Sequence, residues 1–294
     1  MKKITVVIPA LNEEQGIGLV LKGIPVSKLM NMGYETEIIV IDNGSKDKTG
    51  HIARQHGATV LIQPVRGYGN AYKAGFANAS GDIIVTGDAD LTYPFEDLPE
   101  ILEKMEKEDL DFISTNRLKH VNPEVMTPSH IFGNRLLTAI TKILFHLPFV
   151  DSQSGMWIFR REIWDELDVR SSGMAFSQEL KIEAYIRGFK CAEVPIKYRM
   201  RAGDAKLNTL KDGTKVMLRI FHKRLSTLFL KNTSREKERI SIFEDTGSEP
   251  CLLAHIDEKN VFKLNSVEGF AASILESESW VPVRPSLPER EVSS

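Results

Sequence analysis

Short runs of β-branched residues alternate with helical patterns through residues 1–120, and this alternation restricts the fold more than any other feature. Five such runs predict buried strands: Ile4–Ile8, Glu37–Ile41, Thr59–Ile62, Asp82–Thr86 and Asp111–Ser114. After Pro94 a helix is predicted, because the apolar residues recur at helical spacing: Leu98, Ile101, Leu102 and Met105. Strands and helices in this order predict a mostly parallel, Rossmann-like α/β sheet with helices on both faces.

The chain divides by pattern into four segments. We predict a catalytic domain over 1–210, a basic amphipathic helix over 211–232, a small acidic α/β appendage over 233–281 and a disordered tail over 282–294. The second half of the catalytic domain adds a helical stretch from Pro128 to Phe149, a helix over Gln178–Ile186 and a strand over Glu193–Arg199.

Composition excludes several classes of protein. A formal net charge of -2 gives no reason to expect nucleic-acid binding. Cys191 and Cys251 are far apart and outside any Cys/His cluster, which argues against a disulfide scaffold or a zinc site. Apolar runs are too short to span a bilayer, and the first run stops at Pro9 without the pattern of a signal peptide. We therefore expect a cytoplasmic protein that works at a membrane, if at all, from its surface.

The strongest chemical signal follows the fourth predicted strand, where Asp88 and Asp90 stand two residues apart. Two carboxylates on backbone that leaves a sheet edge can reach one hard cation, and Mg²⁺ or Mn²⁺ prefers such oxygen ligands together with substrate phosphates. Two acids in a turn are the simpler interpretation. Their position favours a metal site, because ligands of parallel sheets bind outside the carboxyl ends of the strands.

Other strand ends carry polar or small residues. Asp42 ends the second strand and is suited to accept hydrogen bonds from a base or a ribose hydroxyl, while Gly44 permits a tight turn past a ligand. Gly67 and Gly69 open a helix, whose N-terminus suits an anion. The formation of a tight turn explains Asp42 and Gly44 equally well. A lone Gly-x-Gly is weak evidence for an anion site.

Together these loops resemble family 2 glycosyltransferases of the GT-A fold. The matching segments follow in order: Val7–Glu14, Ile41–Thr49, Gly67–Ala71, Gly81–Asp82 and Asp88–Asp90. Later segments are similar to the dolichol-phosphate or polyprenyl-phosphate mannose or glucose synthase branch: Thr115–Arg117, Gly133–Arg135, Asp151–Arg161, Ser177–Leu180, Glu193–Ile196 and Tyr198–Leu207. The resemblance covers about residues 3–210.

The resemblance implies roles for individual residues. Asp42 would contact the nucleotide base, Asp88 the ribose–diphosphate region, and Asp88 and Asp90 would hold Mg²⁺ or Mn²⁺. Further donor-binding positions would be Pro9, Leu11, Glu14, Gly44, Gly67 and Gly69. Arg117, Arg135, Arg201 and Lys206 would bind the donor diphosphate or the acceptor phosphate. Two positions depart from the branch: Thr92 replaces a glutamine that often binds the metal, and Ala205 replaces a serine.

The reaction implied is an inverting, in-line displacement at the anomeric carbon of a nucleotide-sugar donor. A polyprenyl-phosphate acceptor is already anionic and needs no general base, whereas a hydroxyl acceptor does. Glu179 stands where many family members place that acid, and with Asp90 and Arg201 it completes the predicted catalytic set. Stabilisation of a helix N-terminus is the competing interpretation of Glu179.

A lipid acceptor requires contact with a membrane, and the basic stretch 215–231 has an apolar stripe at helical spacing: Leu218, Phe221, Leu225, Leu228 and Phe229. Such a helix can lie peripherally on an anionic membrane. The stripe is equally suited to packing on the catalytic domain or to forming a homodimer.

Four other functions compete with transfer to a lipid. A soluble hydroxyl acceptor would use the same donor chemistry. A non-catalytic nucleotide-sugar-binding or membrane scaffold protein is disfavoured, because the expected acidic and basic site residues are intact. A nucleotidyltransferase or a dinucleotide-dependent dehydrogenase would need a glycine-rich loop after the first strand, and Ala10–Glu14 contains no glycine.

Overall fold

The computed structural model describes residues 1–119, 124–203 and 213–227. Seven strands form one sheet in the order β3-β2-β1-β4-β6-β5-β7. In chain order they are β1 (Lys2–Ala10), β2 (Tyr34–Asp42), β3 (Thr59–Ile62), β4 (Ile83–Thr86), β5 (Phe112–Asn116), β6 (Trp157–Arg160) and β7 (Cys191–Pro195).

Eight helices carry labels in chain order: α1 (Ile17–Gly23), α2 (Val26–Asn31), α3 (Thr49–Gln55), α4 (Tyr68–Asn78), α5 (Leu98–Lys107), α6 (Pro128–Phe145), α7 (Arg161–Trp164) and α8 (Phe176–Ile186). A 3-10 turn over Phe95–Asp97 precedes α5, and residues 213–227 are helical. We call the last segment the 213–227 helix.

The sheet is mostly parallel, as predicted. Strand β1 pairs in parallel with β2 and β4, and β5 pairs in parallel with β7. Strand β6 runs antiparallel between β4 and β5. The loop before β6 therefore lies at the same edge as the carboxyl ends of β1, β2, β4 and β5, and this edge gathers the polar residues described below.

Apolar side chains fill both faces of the sheet. Ile4, Val6 and Ile8 of β1 belong to a buried cluster that includes the inner faces of α1 and α5. Val7 points to the opposite face, where a second cluster includes residues of α4 and α8. The alternation follows from the period of two along a strand, and burial on both faces explains why the predicted strands read as continuous apolar runs.

Most predicted elements are confirmed, with boundaries that differ by a few residues. Helix α6 ends at Phe145 and not at Phe149, because His146 adopts a left-handed conformation (φ 56°) and its N–H caps the carbonyl of Lys142. Strand β7 starts at Cys191 and ends at Pro195, so the predicted continuation to Arg199 is wrong. Its partner β5 ends opposite Pro195, and the chain then turns toward the site, where the N–H of Arg199 bonds to Thr92.

Several predicted segments fall outside the described residues. These are the appendage over 233–281, the tail over 282–294 and the two ends of the 211–232 segment. Within the described ranges, no helix combines the length and the hydropathy needed to cross a bilayer.

Candidate active site

Hydrogen bonds join the loops that follow β1 and β2. Asn12 has a positive φ of 51°, which turns its backbone N–H toward the Ser45 hydroxyl at 3.0 Å. The Asn12 side-chain oxygen accepts from the N–H of Lys46 at 2.7 Å. Glu14 is exposed and likewise accepts from the N–H of Lys48 at 3.1 Å. The two loops, which carry predicted donor-binding residues, are therefore held together as one unit.

Asp42 ends β2 beside this unit. Its Oδ1 accepts a hydrogen bond from the backbone N–H of Ser45 at 2.7 Å, which stabilises the turn over Gly44. Gly44 has a φ of 87°, a conformation that favours glycine, so the turn-chemistry interpretation of this pair is sound. Pro9 lies in β1 opposite Ile41, and Leu11 follows β1 directly, so both border the same edge.

Asp88 and Asp90 follow β4 and point into the site. Burial first, and the neighbouring Asp90 carboxylate second, raise the pKa of Asp88 to about 7, although Arg117 and Arg201 oppose this rise. Asp90 is 3% exposed, and its Oδ1 accepts hydrogen bonds from the hydroxyl and the backbone N–H of Thr92 at 2.6 and 3.1 Å. Thr92 thus orients the carboxylate at the position where the family branch often has glutamine.

Arg201 lies over the two loops that carry acids. Its Nη2 donates to Glu13 Oε1 at 2.6 Å, and its Nη1 lies 3.3 Å from Asp90 Oδ2. The chain is held there by a further bond from the N–H of Ala202 to the carbonyl of Asp90 at 2.8 Å. The Nε of Arg201 is buried without a hydrogen-bond partner in the described part of the chain. A cation in this position can balance the charge of a phosphorylated ligand.

The acids fit a hard divalent cation. The Asp90 carboxylate helps to raise the pKa of Asp88, and a nearby cation would stabilise the charged form of Asp88. Carboxylate oxygens are also the ligands that Mg²⁺ and Mn²⁺ prefer. No group of three or more His, Cys, Asp or Glu side chains suited to a metal occurs in residues 1–119, 124–203 and 213–227. Asp88 and Asp90 would therefore share the cation with phosphate or water oxygens, as is usual for Mg²⁺.

Gly67 and Gly69 begin α4 and have a packing reason for their small size. A Cβ at Gly67 would lie 2.6 Å from the carbonyl oxygen of Ser172, and one at Gly69 would lie 2.5 Å from that of Ser171. The N–H of Gly67 also donates to the side chain of Asn43 at 3.3 Å. The start of α4 is therefore packed between the loop after β2 and the segment before α8. Donor contact at the two glycines stays a prediction.

Arg117 follows β5 and pairs with a buried acid that the sequence analysis did not select. Its Nε and Nη2 donate to the two carboxylate oxygens of Asp151 at 2.8 and 2.9 Å, and its guanidinium stacks on the ring of Tyr198 at 5.3 Å. Both groups are buried, and such a bidentate pair is rigid. In this structure Arg117 holds the loop before β6, and its predicted phosphate contact remains untested.

The loop over 151–155 is mostly buried and receives many hydrogen bonds, which such a loop requires. Lys181 is fully buried in α8 and donates to the carbonyls of Asp151 and Ser154 at 3.0 and 2.9 Å. Burial lowers the pKa of Lys181 to about 7, although Asp151 opposes this effect. No pattern in the sequence distinguishes Lys181 from a surface lysine, since it simply stands between two apolar residues of a helix.

The structure does not bring every predicted site residue together. Glu179 is 2% exposed in α8, and its contacts are to Ser171, Arg219 and Lys223 rather than to Asp88 or Asp90. Arg135 is exposed on α6. Lys206 lies outside the described residues. The acids and Arg201 therefore form the centre of the candidate site, and Glu179 lies apart from it.

The 213–227 helix contacts the domain through one face only. Val216 and Ile220 are buried in the second apolar cluster, and Lys223 is buried with its Nζ 2.6 Å from Glu183. The predicted apolar stripe lies on the other face: Leu218, Phe221 and Leu225 are 62, 47 and 56% exposed. The described part of the stripe therefore does not pack on the catalytic domain. Leu228 and Phe229 lie outside the described residues.

Comparisons with known proteins agree with the geometry. A family model described as Glycosyl transferase family 2 matches residues 5–168. The low-salt glycan biosynthesis hexosyltransferase Agl6 of Haloferax volcanii is 38% identical over 212 residues, which cover 71% of this chain and 51% of Agl6, so the chain spans about half the length of that relative. The dolichyl-phosphate hexose transferase of the same organism is 35% identical over 214 residues, or 72% of this chain and 90% of the relative.

Solved structures give the same fold. Glucosyl-3-phosphoglycerate synthase from Mycobacterium tuberculosis, in complex with Mn²⁺, UDP and glucosyl-3-phosphoglycerate, is 27% identical with a TM-score of 0.60, covering 76% of this chain and 80% of that one. The same enzyme has been solved with Mg²⁺ and UDP, with a TM-score of 0.58 and 26% identity over 76% of this chain and 79% of that one. The predicted GT-A type of sheet is thereby confirmed.

Proposed function

The chain belongs to glycosyl transferase family 2, and from that premise we propose that it moves a hexose from a nucleotide-sugar donor to a polyprenyl or dolichyl phosphate. The donor is of the GDP-mannose or UDP-glucose type, and the transfer is inverting. One observation carries the proposal: Asp88, Asp90 and Arg201 meet beside the joined loops of β1 and β2. The similarity to a dolichyl-phosphate hexose transferase supports the acceptor.

Different residues of the chain bind different parts of the donor. Asp88 and Asp90 would hold Mg²⁺ or Mn²⁺, which when bound would supply positive charge for the leaving nucleoside diphosphate. Asp42, at the end of β2, accepts hydrogen bonds from the base. Arg201 supplies a positive charge beside the acids and orients the diphosphate through its guanidinium. The solved complex of the related synthase with Mn²⁺ and UDP supports a divalent cation and a nucleotide donor.

A phosphate acceptor agrees with the position of Glu179. An anionic phosphate oxygen attacks without losing a proton, so the reaction needs no general base. Glu179 is turned away from the acids. Burial alone would raise its pKa, but Arg219 and the hydrogen bond from Ser171 outweigh burial and lower it, which makes the carboxylate a weak base. Arg135, exposed on α6, is a candidate to bind the acceptor phosphate.

The acceptor reaches the site from an anionic membrane surface that contacts α6 and the 213–227 helix. Neither helix contains an acidic residue, and both expose apolar side chains between basic ones. The guanidinium of Arg224 lies 5.9 Å from the ring centre of Phe145, so the two helices approach each other at their C-terminal ends. Apolar and basic side chains together favour the interface of an anionic bilayer.

Transfer of labelled sugar tests the proposal. Full-length protein is incubated with a panel of labelled GDP- and UDP-sugars, vesicles that contain polyprenyl phosphate, and Mg²⁺ or Mn²⁺ or EDTA. We expect label in the organic phase with one class of donor, and loss of this label with EDTA. Asp90→Asn should lower kcat/KM on the order of a thousandfold, because a charge that stabilises the leaving group is lost.

Asp109→Asn is the matched control, because Asp109 is exposed near the start of β5, away from the carboxyl edge of the sheet. Its rate should equal that of the wild type. Transfer that persists in EDTA would contradict the dependence on a divalent metal. The absence of transfer from every donor would contradict the proposed function.

A soluble acceptor is the second candidate. The related synthase has been solved with UDP-glucose and phosphoglyceric acid, which is a small phosphorylated molecule. This likeness favours transfer to a soluble hydroxyl with the same donor chemistry. Label that stays in the aqueous phase in the same assay would support it and would discard the lipid acceptor.

A further inference from the structure

Glu179 joins two parts of the molecule through its two carboxylate oxygens. Its Oε2 accepts a hydrogen bond from the backbone N–H of Ser171 at 2.8 Å. Its Oε1 lies 3.3 Å from Nη2 of Arg219 and 3.6 Å from Nζ of Lys223. A single buried carboxylate therefore connects the segment Arg170–Ser172 to the 213–227 helix.

The segment Arg170–Ser172 in turn supports the start of α4. Its first carbonyl oxygen accepts from Nζ of Lys73 at 2.9 Å, and its last accepts from the backbone N–H of Asn70 at 3.1 Å. Gly69 packs so closely on the segment that a Cβ would lie 2.5 Å from its middle carbonyl oxygen. The position of the first turn of α4 therefore depends on the position of this segment.

We propose that Glu179 is a positioning residue, which holds the start of α4 in its donor-binding position through the segment Arg170–Ser172. The inference rests on the proposed function, because the ligand assigned to the start of α4 is the nucleotide-sugar donor. Arg219 and Lys223 fix the carboxylate, and the carboxylate fixes the segment. Glu179 thus acts on donor binding without touching the donor.

The charge of Glu179 suits its role as a link, which we call the tether, between the segment Arg170–Ser172 and the 213–227 helix. Burial by itself would raise its pKa, but Arg219, the bond from Ser171 and Lys223 together lower it. The group therefore stays charged, and both of its oxygens are engaged. A general base needs a free oxygen that faces the acceptor, and neither oxygen of Glu179 meets this requirement.

Glu179→Gln separates the two roles. The amide oxygen can still accept from Ser171, but the charge that attracts Arg219 and Lys223 is lost. We expect the KM for the donor to rise about tenfold, kcat to stay within about twofold, and the pH profile of kcat to keep its shape. Loss of a general base would instead lower kcat by about 10²- to 10⁴-fold and remove one limb of the profile, which would overturn the proposal.

Glu183→Gln is the matched control, one turn further along α8. Glu183 is also buried, lies 2.6 Å from Nζ of Lys223, and accepts from a backbone N–H, that of Asp168, at 3.0 Å. The backbone partner of Glu183 lies outside Arg170–Ser172. The KM of Glu183→Gln for the donor should therefore match that of the wild type. An equal rise in both variants would overturn the specific role of Glu179. If Glu179→Gln fails to fold, Glu179→Asp keeps the charge, shortens the reach to Ser171 and should raise the donor KM similarly.

Hydrogen exchange tests the tether without any donor or activity. In full-length protein, the amides of Tyr68–Lys73 should exchange faster in Glu179→Gln than in wild type, and at the wild-type rate in Glu183→Gln. Unchanged exchange in Glu179→Gln would overturn the proposal. If the wild type transfers no sugar, the proposed function fails while the exchange rates still decide whether the tether exists.

Discussion

Helices α5 and α6 flank β5 in the chain but bury different kinds of surface. Helix α5 turns Glu and Lys outward and buries only apolar residues: Leu98, Ile101, Leu102 and Met105. Helix α6 buries Asn134, Thr138 and Thr141 together with Phe145. Its exposed side carries Phe132, Leu136 and Ile143, which are 69, 47 and 74% exposed.

The neighbours of each helix explain the difference. Helix α5 packs on the apolar cluster beneath β1 and β4. Helix α6 packs partly on the second apolar cluster and partly on the mostly buried loop 151–155, whose backbone needs hydrogen-bond partners. Thr138 meets this need, since its hydroxyl donates to the Ser152 hydroxyl at 2.9 Å and accepts from the Ser152 N–H at 3.1 Å. The apolar side chains Phe132, Leu136 and Ile143 stay exposed in the described part of the chain. Four measurements test this contrast between the two helices.

Truncation of the buried side of α5 should have the largest effect. Leu102→Ala should lower the free energy of unfolding by about 2–5 kcal/mol, because it leaves a cavity in the apolar cluster. Ile143→Ala on the exposed side of α6 should change it by no more than about 0.5 kcal/mol. Urea unfolding followed by circular dichroism measures both. Equal losses would mean that Ile143 is buried in the folded protein.

Removal of polar contacts should destabilise α6 instead. Thr138→Val keeps the shape of the side chain but removes both hydrogen bonds between Thr138 and Ser152. We expect the free energy of unfolding to fall by about 1–3 kcal/mol in the same assay. Thr59→Val, the same change at an exposed position of β3, is the control and should be nearly neutral. A neutral Thr138→Val would show that α6 is held by apolar contacts, as α5 is.

The exposed apolar side of α6 should bind vesicles. Ile143→Ser should weaken flotation with anionic vesicles about tenfold, since an isoleucine side chain no longer enters the interface. Ile62→Ser is the control, because Ile62 is 70% exposed on β3 at the other end of the sheet. Sedimentation of both variants distinguishes a homodimer: a change in self-association with unchanged flotation would replace the membrane with a second copy of the chain.

Single basic residues should have the smallest effect. Lys142→Ala on α6 should weaken binding to anionic vesicles about fivefold, because one basic residue near the surface contributes about 1 kcal/mol. Lys107→Ala in the last turn of α5 should leave binding unchanged. Both differences should vanish with neutral vesicles and shrink at high salt. Equal effects of the two lysines would indicate general attraction by charge without a defined contact face.

Local pattern was enough to predict α5 and the strands β1 to β5. Helix α5 buries one regular face, and strands buried on both faces leave short, continuous apolar runs. The same method placed the end of α6 and the extent of β7 wrongly. Helix α6 ends locally, because His146 takes a left-handed conformation and caps the carbonyl of Lys142. Strand β7 ends because of a contact distant in the chain, since it stops where its partner β5 ends. For the 213–227 helix, periodicity identified the apolar stripe but could not predict that Val216 and Ile220 make the contact with the domain.

The sequence by itself determined the mostly parallel sheet and the position of Asp42, Asp88 and Asp90 at its carboxyl edge, because strands that alternate with helices run parallel and end at one edge. Only the tertiary structure decided which acid each arginine meets. Arg117 pairs with an acid 34 positions away and Arg201 with one 188 positions away. The tertiary structure also decided that Glu179 faces Arg219 and not Asp88 or Asp90. Such pairs depend on how separate helices and strands pack, and the local sequence pattern does not predict that packing.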